Sequence, residues 1–243
     1  MKSFYKILAI ILFLSLINDK LFCFSADTLI ISTKNFSNNT IDSTVLINID
    51  YPQIENPEND TVIIKINKFL EEEFRQSISW YEETIIDTSY LQEFAKEYPY
   101  SFETGFQVEF NSKSFLSLTL NHYQFTGGAH GNYFAVGYNI NMEDGTILTL
   151  NDIITDGSLD LLTYECEENI LDTYQANSLM EAGLFENEIK LTSDQDFYVI
   201  PGAIVLQFDP YEIGPYAMGE INAEIPFEKI SDILKDDLPF PTR

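Results

Sequence analysis

The sequence predicts an α+β fold in which an antiparallel sheet packs with two main helices and a short C-terminal helix. Several short segments alternate apolar and polar residues, as half-buried strands do. Two longer segments repeat apolar residues every three or four positions, which is the pattern of amphipathic helices. The strand runs are interrupted by these two helices, and this distribution is typical of α+β domains.

The clearest strand pattern lies in the middle of the chain. Leucines alternate with polar residues over Leu116–Asn121, and a similar alternation returns over Phe134–Ile140. The loop Thr126–Gly131 between them has three glycines in five residues. This density predicts either backbone angles that only glycine adopts readily or the close approach of another chain segment. Asp144-Gly145 then predicts a hairpin turn that leads into a strand at Ile147–Leu150.

The N-terminal half contains the first main helix. Its apolar stripe runs from Ile63 to Tyr81, with Asn59 or Asp60 available as the N-cap. Glu71–Glu73 are expected on its solvent side, because adjacent helical residues do not converge on one point as a catalytic carboxylate pair must. The flanking elements of this half are a loose lead-in at Ala26–Asn39, strands at Val45–Ile49 and Phe106–Phe110, and a short helix near Ser89–Glu97.

The C-terminal half contains the second main helix, which runs from a cap at Asp156 or Ser158 to about Tyr174. A turn of helix is expected within Met180–Leu191. The remaining elements are a hairpin at Phe197–Phe208 about Pro201-Gly202, a long loop rich in proline, glycine and tyrosine at Asp209–Gly219, a strand at Ile221–Ile225 and a last short helix at Phe227–Leu234.

The first 25 residues have the layout of a secretory signal peptide. Basic residues precede a short apolar run, and small residues follow near Ser25. The run is shorter than the roughly 20 residues that span a membrane. Lipid attachment at Cys23 is the alternative to simple cleavage, and either route places the mature chain outside the cytoplasm. The predicted organisation is a signal peptide (1–25), an N-terminal part (26–150) and a C-terminal part (151–243), the last two forming one compact unit.

The charge balance is strongly acidic. The chain has 13 basic and 39 acidic side chains and a net charge of -26. Removing Met1–Ser25 takes away three lysines and one aspartate, which leaves 10 basic and 38 acidic residues and a charge of -28. Such a charge repels nucleic acid and attracts cationic partners at long range, and it also keeps an exported protein soluble.

The reactive side chains do not form a recognisable catalytic or metal-binding motif. Cys166 shares a helical stripe with apolar residues, which indicates a buried structural thiol. If the strands pair around the glycine-rich loop, His122 and His130 lie roughly 16 Å apart, too far to share a metal ion. We therefore expect no catalytic residue, metal or cofactor. His130 as a lone general base is the remaining enzymatic possibility, but its loop contains no nucleophile and no residue that would orient the imidazole.

Several motifs resemble one family of extracellular domains. These motifs are YPQI (51–54), the amphipathic helix, QFTGGAHG (124–131) and VLQFDPYEIGPYAMGEINAEIPFEKI (205–230). They are similar to the extracellular domains of RsiV-type proteins, the lysozyme-sensing anti-sigma factors, and related domains accompany peptidoglycan deacetylases. The resemblance covers roughly Val45 to Leu234. It implies an α+β fold and, in the RsiV branch, direct binding of lysozyme.

The chain also departs from that family. Only Met1–Lys6 precede the apolar run, so we expect no sigma-binding segment, and no deacetylase catalytic domain is expected either. The sequence therefore predicts an exported, non-enzymatic binder or inhibitor of lysozyme-like cationic hydrolases, or alternatively a cell-envelope module that binds peptidoglycan or another glycan. Membrane contact is expected only through a lipid anchor. The candidate partner-binding residues are Gly127, Gly128, His130, Gly131, Tyr211, Glu212 and Tyr216. The alternative for these residues is that the two loops pack on each other and shape the fold.

Overall fold

The structure, a computed structural model, describes residues 28–39, 45–87 and 97–242. It is a mixed α+β fold with a six-stranded and a three-stranded sheet, which confirms the predicted class. Its strands and helices in chain order are β1 (Ile31–Asn39), β2 (Val45–Ile54), α1 (Thr61–Asp87), β3 (Tyr100–Asn111), β4 (Phe115–Phe125), β5 (Asn132–Asn141), β6 (Thr146–Ile147), α2 (Leu150–Ile153), α3 (Leu159–Tyr174), α4 (Leu179–Ala182), β7 (Phe197–Ile200), β8 (Ala203–Phe208) and β9 (Ile221–Pro226). Within these described ranges, no helix is long and apolar enough to cross a membrane.

The six-stranded sheet contains β1 to β6 in the order in which they occur in the chain. Its neighbouring strands are antiparallel except for β2 and β3, which run parallel with Val45 opposite Tyr100 and Ile49 opposite Thr104. This pair differs from the antiparallel arrangement that the sequence predicts. A parallel pair needs a long crossover connection, and the 27 residues of α1 belong to that connection.

Helix α1 begins after Asp60, one of the two predicted N-caps. The Asp60 Oδ1 atom accepts hydrogen bonds from the N–H groups of Val62 at 2.7 Å and Ile63 at 3.4 Å. The apolar stripe of the helix is buried as predicted. Ile66 and Leu70 pack with the leucines of β4 and with apolar residues of β5. Most of the stability of this helix therefore comes from its packing on the sheet.

The prediction that Glu71–Glu73 lie on the solvent side of α1 is wrong for Glu73. Glu72 is exposed, but Glu73 is half-buried, and its Oε2 atom accepts a hydrogen bond from the Tyr138 hydroxyl at 2.7 Å. Burial and this carboxylate raise the pKa of Tyr138. The hydrogen bond joins α1 to β5, because Tyr138 lies on that strand.

Strand β4 is buried on both faces as far as Leu120, whereas its alternating pattern predicts one face in water; Asn121 and Tyr123, further along the polar face, are exposed. Ser117 and Thr119, on the polar face, are almost inaccessible to solvent. The C-terminal sheet covers this face: the Ser117 hydroxyl donates to Asn139 Oδ1 at 2.7 Å and accepts from the Val199 N–H at 2.9 Å. Polar side chains tolerate this burial because they are hydrogen-bonded. The alternation thus separates an apolar interface with α1 from a polar interface with the second sheet.

The C-terminal part is built around the antiparallel sheet β7–β8–β9. Helix α3 begins after Ser158 and ends at Tyr174, as predicted, and packs its buried stripe against this sheet. Cys166 lies in that stripe and is fully buried. Burial, with a smaller contribution from Glu167, raises the pKa of the Cys166 thiol to about 12. The prediction of a structural thiol is confirmed.

Three predicted elements differ from the structure. The loose lead-in contains strand β1, which pairs with β2 from Ile31 opposite Ile54 onward. The strand predicted at Ile147–Leu150 stops early, because the Asp152 carboxylate accepts the Thr149 N–H at 2.8 Å and starts α2. The last helix is only a 3-10 turn at Phe227–Lys229.

The chain leaves this 3-10 turn because it bonds to the segment after α2. The Thr155 N–H donates to the Ile233 carbonyl and the Lys235 N–H donates to the Ile153 carbonyl, both at 2.8 Å. These two bonds form an isolated antiparallel bridge between Ile154 and Leu234, which ends the turn that follows Lys229. The predicted helix near Ser89–Glu97 lies almost entirely outside the described residues, and the predicted signal peptide lies wholly outside them.

Candidate binding surface

Two loops that are distant in the sequence form a single surface. The glycine loop (Thr126–Gly131) joins β4 to β5, and the tyrosine loop (Asp209–Gly219) joins β8 to β9. The rings of His130 and Tyr216 stack with their centroids 3.9 Å apart and their planes inclined by 19°. The Tyr216 hydroxyl donates a hydrogen bond to the Gly131 carbonyl at 2.8 Å. We call the outer side of these two loops the loop surface.

Gly131 permits the close packing of the glycine loop. A Cβ atom at this position would lie 2.4 Å from the ring of Tyr123. The Gly131 carbonyl also accepts a hydrogen bond from His130 Nδ1 at 2.8 Å. Because a carbonyl oxygen can only accept, Nδ1 of His130 carries a proton. The His130 ring is thus held on both sides, by stacking on Tyr216 and by its own loop.

Gly127 and Gly128 serve a different purpose from Gly131. Their φ angles are +98° and +96°, in the left-handed region that favours glycine. A Cβ atom at Gly128 would have no neighbour within 4 Å. The sequence predicts either glycine-specific backbone angles or a close approach of another segment in this loop. The structure shows the backbone angles at Gly127 and Gly128 and the close approach at Gly131.

Tyr211 is the most exposed aromatic residue of the tyrosine loop. The residue is 56% exposed, and the centroid of its ring lies 5.6 Å from that of the Tyr216 ring. Its φ angle is +74°, which is unusual for a residue other than glycine. Such a conformation costs roughly 1 kcal/mol or more, and it persists only where the surrounding structure enforces it.

Carboxylates gather at the start of the tyrosine loop. Glu212 is exposed, and its two oxygens accept hydrogen bonds from the Asp209 N–H at 2.8 Å and from Gln195 Nε2 at 3.3 Å. Asp209 Oδ1 in turn accepts the Ala135 N–H at 3.0 Å. Burial first, and then the neighbouring acidic groups Glu212, Asp196 and Glu220, together raise the pKa of Asp209 to about 6, although the hydrogen bond from the Ala135 N–H lowers it. This part of the surface therefore carries a concentrated negative charge.

The contact that holds the tyrosine loop against the six-stranded sheet is not predicted by the sequence patterns described above. We call this contact, between β5 and the C-terminal sheet, the polar seam. A Cβ atom at Gly137 would lie 2.1 Å from the Phe197 carbonyl oxygen, so the two backbones touch here. An isolated glycine inside a strand pattern is a signal for such an approach. Gly137 was therefore the clue available in the sequence.

Hydrogen bonds between side chains and backbone complete the polar seam. Asn139 Nδ2 donates to the Phe197 carbonyl at 2.8 Å, and Gln207 Nε2 donates to the Ala135 carbonyl at 2.8 Å. The Asp196 carboxylate accepts the Gly137 N–H at 3.3 Å. Gln207 on β8 and Asp196 just before β7 thus satisfy backbone groups of Ala135 and Gly137 on β5.

The two histidines occupy separate environments. His122 Nδ1 lies 3.2 Å from the Thr104 hydroxyl and 3.3 Å from the hydroxyl of Tyr81 on α1. Burial lowers the pKa of His122 to about 4, so its ring is neutral at physiological pH. Over the part of the chain that the structure describes, no three His, Cys, Asp or Glu side chains are grouped to hold a metal ion.

The chain matches two family models in succession. Residues 38–133 match a model described as Deacetylase PdaC, and residues 151–228 match DUF3298, a family described as of unknown function. The peptidoglycan-N-acetylmuramic acid deacetylase PdaC of Bacillus subtilis is 22% identical over 196 residues. That alignment covers 77% of this chain and 38% of the deacetylase, so the chain spans well under half the length of that enzyme.

Two crystal structures share the fold. A member of the DUF3298 family from Bacteroides fragilis has a TM-score of 0.72 and 18% identity, covering 86% of this chain and 95% of its own. A DUF3298 family protein from Pseudomonas aeruginosa PAO1 has a TM-score of 0.64 and 20% identity, covering 89% of this chain and 99% of its own. The match to the PdaC model and to the PdaC enzyme supports the predicted resemblance to domains that accompany peptidoglycan deacetylases. The resemblance to RsiV-type proteins stays a prediction.

Proposed function

We propose that this chain is an exported, non-enzymatic module of the cell envelope whose loop surface binds a cationic protein, with lysozyme-like hydrolases as the candidate partners. Export follows from the predicted signal peptide Met1–Ser25, with a lipid anchor at Cys23 as the alternative route. Residues 26–150 and 151–243 act as one unit in this proposal. The contact residues are those predicted from the sequence: Gly127, Gly128, His130, Gly131, Tyr211, Glu212 and Tyr216.

The conformation of Tyr211 is the observation that carries this proposal. The residue combines a left-handed backbone with an overall exposure of 56%, so it is not held in this conformation by burial in the core. Backbone strain of this kind is concentrated at binding and switch sites. Tyrosine is also among the residues that dominate binding energy at protein interfaces. Glu212, the next residue in the chain, is also exposed and offers a charge to a basic partner.

The surrounding charge supports a cationic protein as the partner. The whole chain has a net charge of -26, and the acidic groups near Asp209 concentrate part of it beside the loops. Complementary charge accelerates encounter and disfavours acidic competitors, while the contacts themselves determine the lifetime of the complex. We therefore expect recognition to depend on Tyr211 and the association rate to depend on salt.

Calorimetric titration of residues 26–243 with a basic lysozyme tests the proposal. We expect saturable one-to-one binding that persists at physiological salt, and an affinity at least tenfold lower for Tyr211→Ala. Tyr211→Gly should also bind weakly while stabilising the fold by ~0.5–1 kcal/mol, because glycine adopts this backbone without strain. The control is Tyr164→Ala on α3, where the side chain is 54% exposed and far along the chain from both loops. Attraction that vanishes at physiological salt would reject the proposal.

Peptidoglycan is the second candidate ligand, and the match of residues 38–133 to the PdaC model favours it. In this case the exposed tyrosines would stack on sugar rings, and binding would depend little on salt. Soluble peptidoglycan fragments titrated under the same two salt conditions distinguish the candidates. Saturable binding of fragments together with no binding of lysozyme would support the glycan.

A further inference from the structure

A groove beside the tyrosine loop has a volume of about 310 Å³. One wall comes from the segment after α4, which includes Phe185 and Glu186, and the other wall includes Glu212 and Ile213. A backbone hydrogen bond from the Phe185 N–H to the Ile213 carbonyl, at 3.0 Å, joins the two walls. We call this feature the acidic groove. Its volume lies at the lower limit of ligand pockets, so it suits one long side chain better than a larger molecule.

The acidic groove combines an apolar floor with a charged rim. Leu184, Ile189 and Phe208 are buried beneath it, and Phe185 stands at the edge with 52% of its side chain exposed. Four of the six remaining lining residues are charged, namely Glu186, Glu188, Lys190 and Glu212, and the other two are Gln195 and Ile213. An apolar floor under a charged rim matches a side chain that has an aliphatic stem and a charged end.

The charges of the rim favour a cation. Lys190 lies 2.6 Å from the Glu188 carboxylate, and these two charges offset each other. Glu186 and Glu212 remain as an excess of negative charge across the groove. Glu212 is already oriented by its hydrogen bonds from Asp209 and Gln195. A carboxylate has about four acceptor sites, so Glu212 can accept two further hydrogen bonds without moving.

We propose that the acidic groove receives an arginine side chain of the cationic partner. This inference rests on the proposed function, since it names how that partner is recognised next to the loop surface. The arginine stem lies on Leu184 and Ile213, and its guanidinium group bonds to Glu212 and faces the ring of Phe185. Arginine fits better than lysine because its planar group forms paired hydrogen bonds with a carboxylate and stacks on aromatic rings.

Amide chemical shifts of the isotopically labelled chain test this proposal directly. The probe is a short peptide with a single arginine, and the control peptide carries citrulline, which has a similar shape and no charge. We expect the arginine peptide to shift the amide signals of Phe185, Glu186 and Ile213, and the citrulline peptide to leave them in place. Phe185→Ala should weaken arginine-peptide binding about three- to fivefold, the effect of losing an exposed cation–π contact. Met180→Ala, which removes a side chain that is 59% exposed and outside the groove lining, should leave it unchanged.

The outcomes separate this inference from the proposed function. Shifts in the groove with the arginine peptide, in a chain that does not bind lysozyme, would support the groove and reject lysozyme as partner. Full-affinity lysozyme binding by Phe185→Ala and Glu186→Gln, together with no arginine-dependent shifts, would overturn the groove and leave the proposed function standing. Equal shifts from the arginine and citrulline peptides would also overturn it.

Discussion

Asp209→Asn should stabilise the fold at neutral pH and have no such effect in acid. The Asp209 carboxylate accepts the Ala135 N–H within the polar seam, and its pKa is raised to about 6 from the ordinary 3.8, first by burial and then by Glu212, Asp196 and Glu220. Because the folded pKa lies above the unfolded one, the protonated group favours the folded state. That contribution is complete below about pH 4 and is lost as the pH rises through 6.

The size of the effect follows from the shift. About two pKa units correspond to ~3 kcal/mol for a fully buried group. Asp209 is only half-buried, so solvent screening reduces this value, and we expect ~1 kcal/mol. The asparagine side chain retains an oxygen that can accept the Ala135 N–H and carries no charge. The free energy of unfolding of the variant should therefore exceed that of the unmodified chain by ~1 kcal/mol above pH 7 and should equal it at pH 4.

Urea unfolding at pH 4 and at pH 7.5 measures this difference, and the melting temperature at pH 7.5 should rise by about 2–4 °C. The control is Asp232→Asn, which removes an exposed carboxylate outside the polar seam and should change little at either pH. A loss of stability for Asp209→Asn at pH 7.5, or an equal gain at both pH values, would refute the assignment of a destabilising charge to the seam.

Three further outcomes follow from the packing. Gly137→Ala should cost ~2–3 kcal/mol in urea unfolding, because its Cβ meets the Phe197 backbone at 2.1 Å; a neutral result would mean that the sheets separate easily. Tyr216→Phe keeps the stacked ring but removes the hydrogen bond to Gly131, so thermal unfolding should show a loss of ~1 kcal/mol, and no loss would deny that bond a role. Cys166 should react with a disulfide-forming thiol reagent at pH 8 only as fast as the chain unfolds, and rapid labelling of the native protein would contradict its burial and raised pKa.

Local patterns predicted most of the fold. Helix α3 ends where the apolar period ends, and the hairpin of β7 and β8 turns at Pro201-Gly202 as the sequence predicts. The strands on either side of the glycine loop also pair with each other as predicted, with Tyr123 opposite Tyr133. These features depend on residues that lie near one another in the chain, so their spacing is visible in the sequence.

The polar seam could not be predicted in the same way. Asn139 and Phe197 are 58 residues apart, and Ser117 and Val199 are 82 residues apart. Their side chains look like ordinary solvated strand positions, because a polar residue that faces water and one that faces a hydrogen-bonding backbone have the same period of two. Only Gly137 breaks the pattern. This glycine indicates that another backbone segment approaches closely, but it does not identify which segment.

The candidate site was predicted in composition but not in arrangement. The residues of both loops were identified from the sequence, and the stacking of His130 on Tyr216 shows that the loops pack together. That packing accounts for His130, Gly131 and Tyr216 without a partner. Tyr211 and Glu212 remain displayed outward. The packing of the two loops thus shapes the surface, and His130, Tyr211 and Glu212 are exposed on it.

Asp209 connects the polar seam to this displayed part of the surface. Its carboxylate accepts the Ala135 N–H, while its own N–H donates to Glu212. The charge of Glu212 is one of the causes that raise the pKa of Asp209. A cation bound at Glu212 would offset that charge and lower the pKa of Asp209 toward its ordinary value. Above pH 6, the ionised Asp209 carboxylate destabilises the packing of the two sheets, and a bound cation would remove part of this destabilisation. By linkage, partner binding and the packing of the two sheets should therefore stabilise each other.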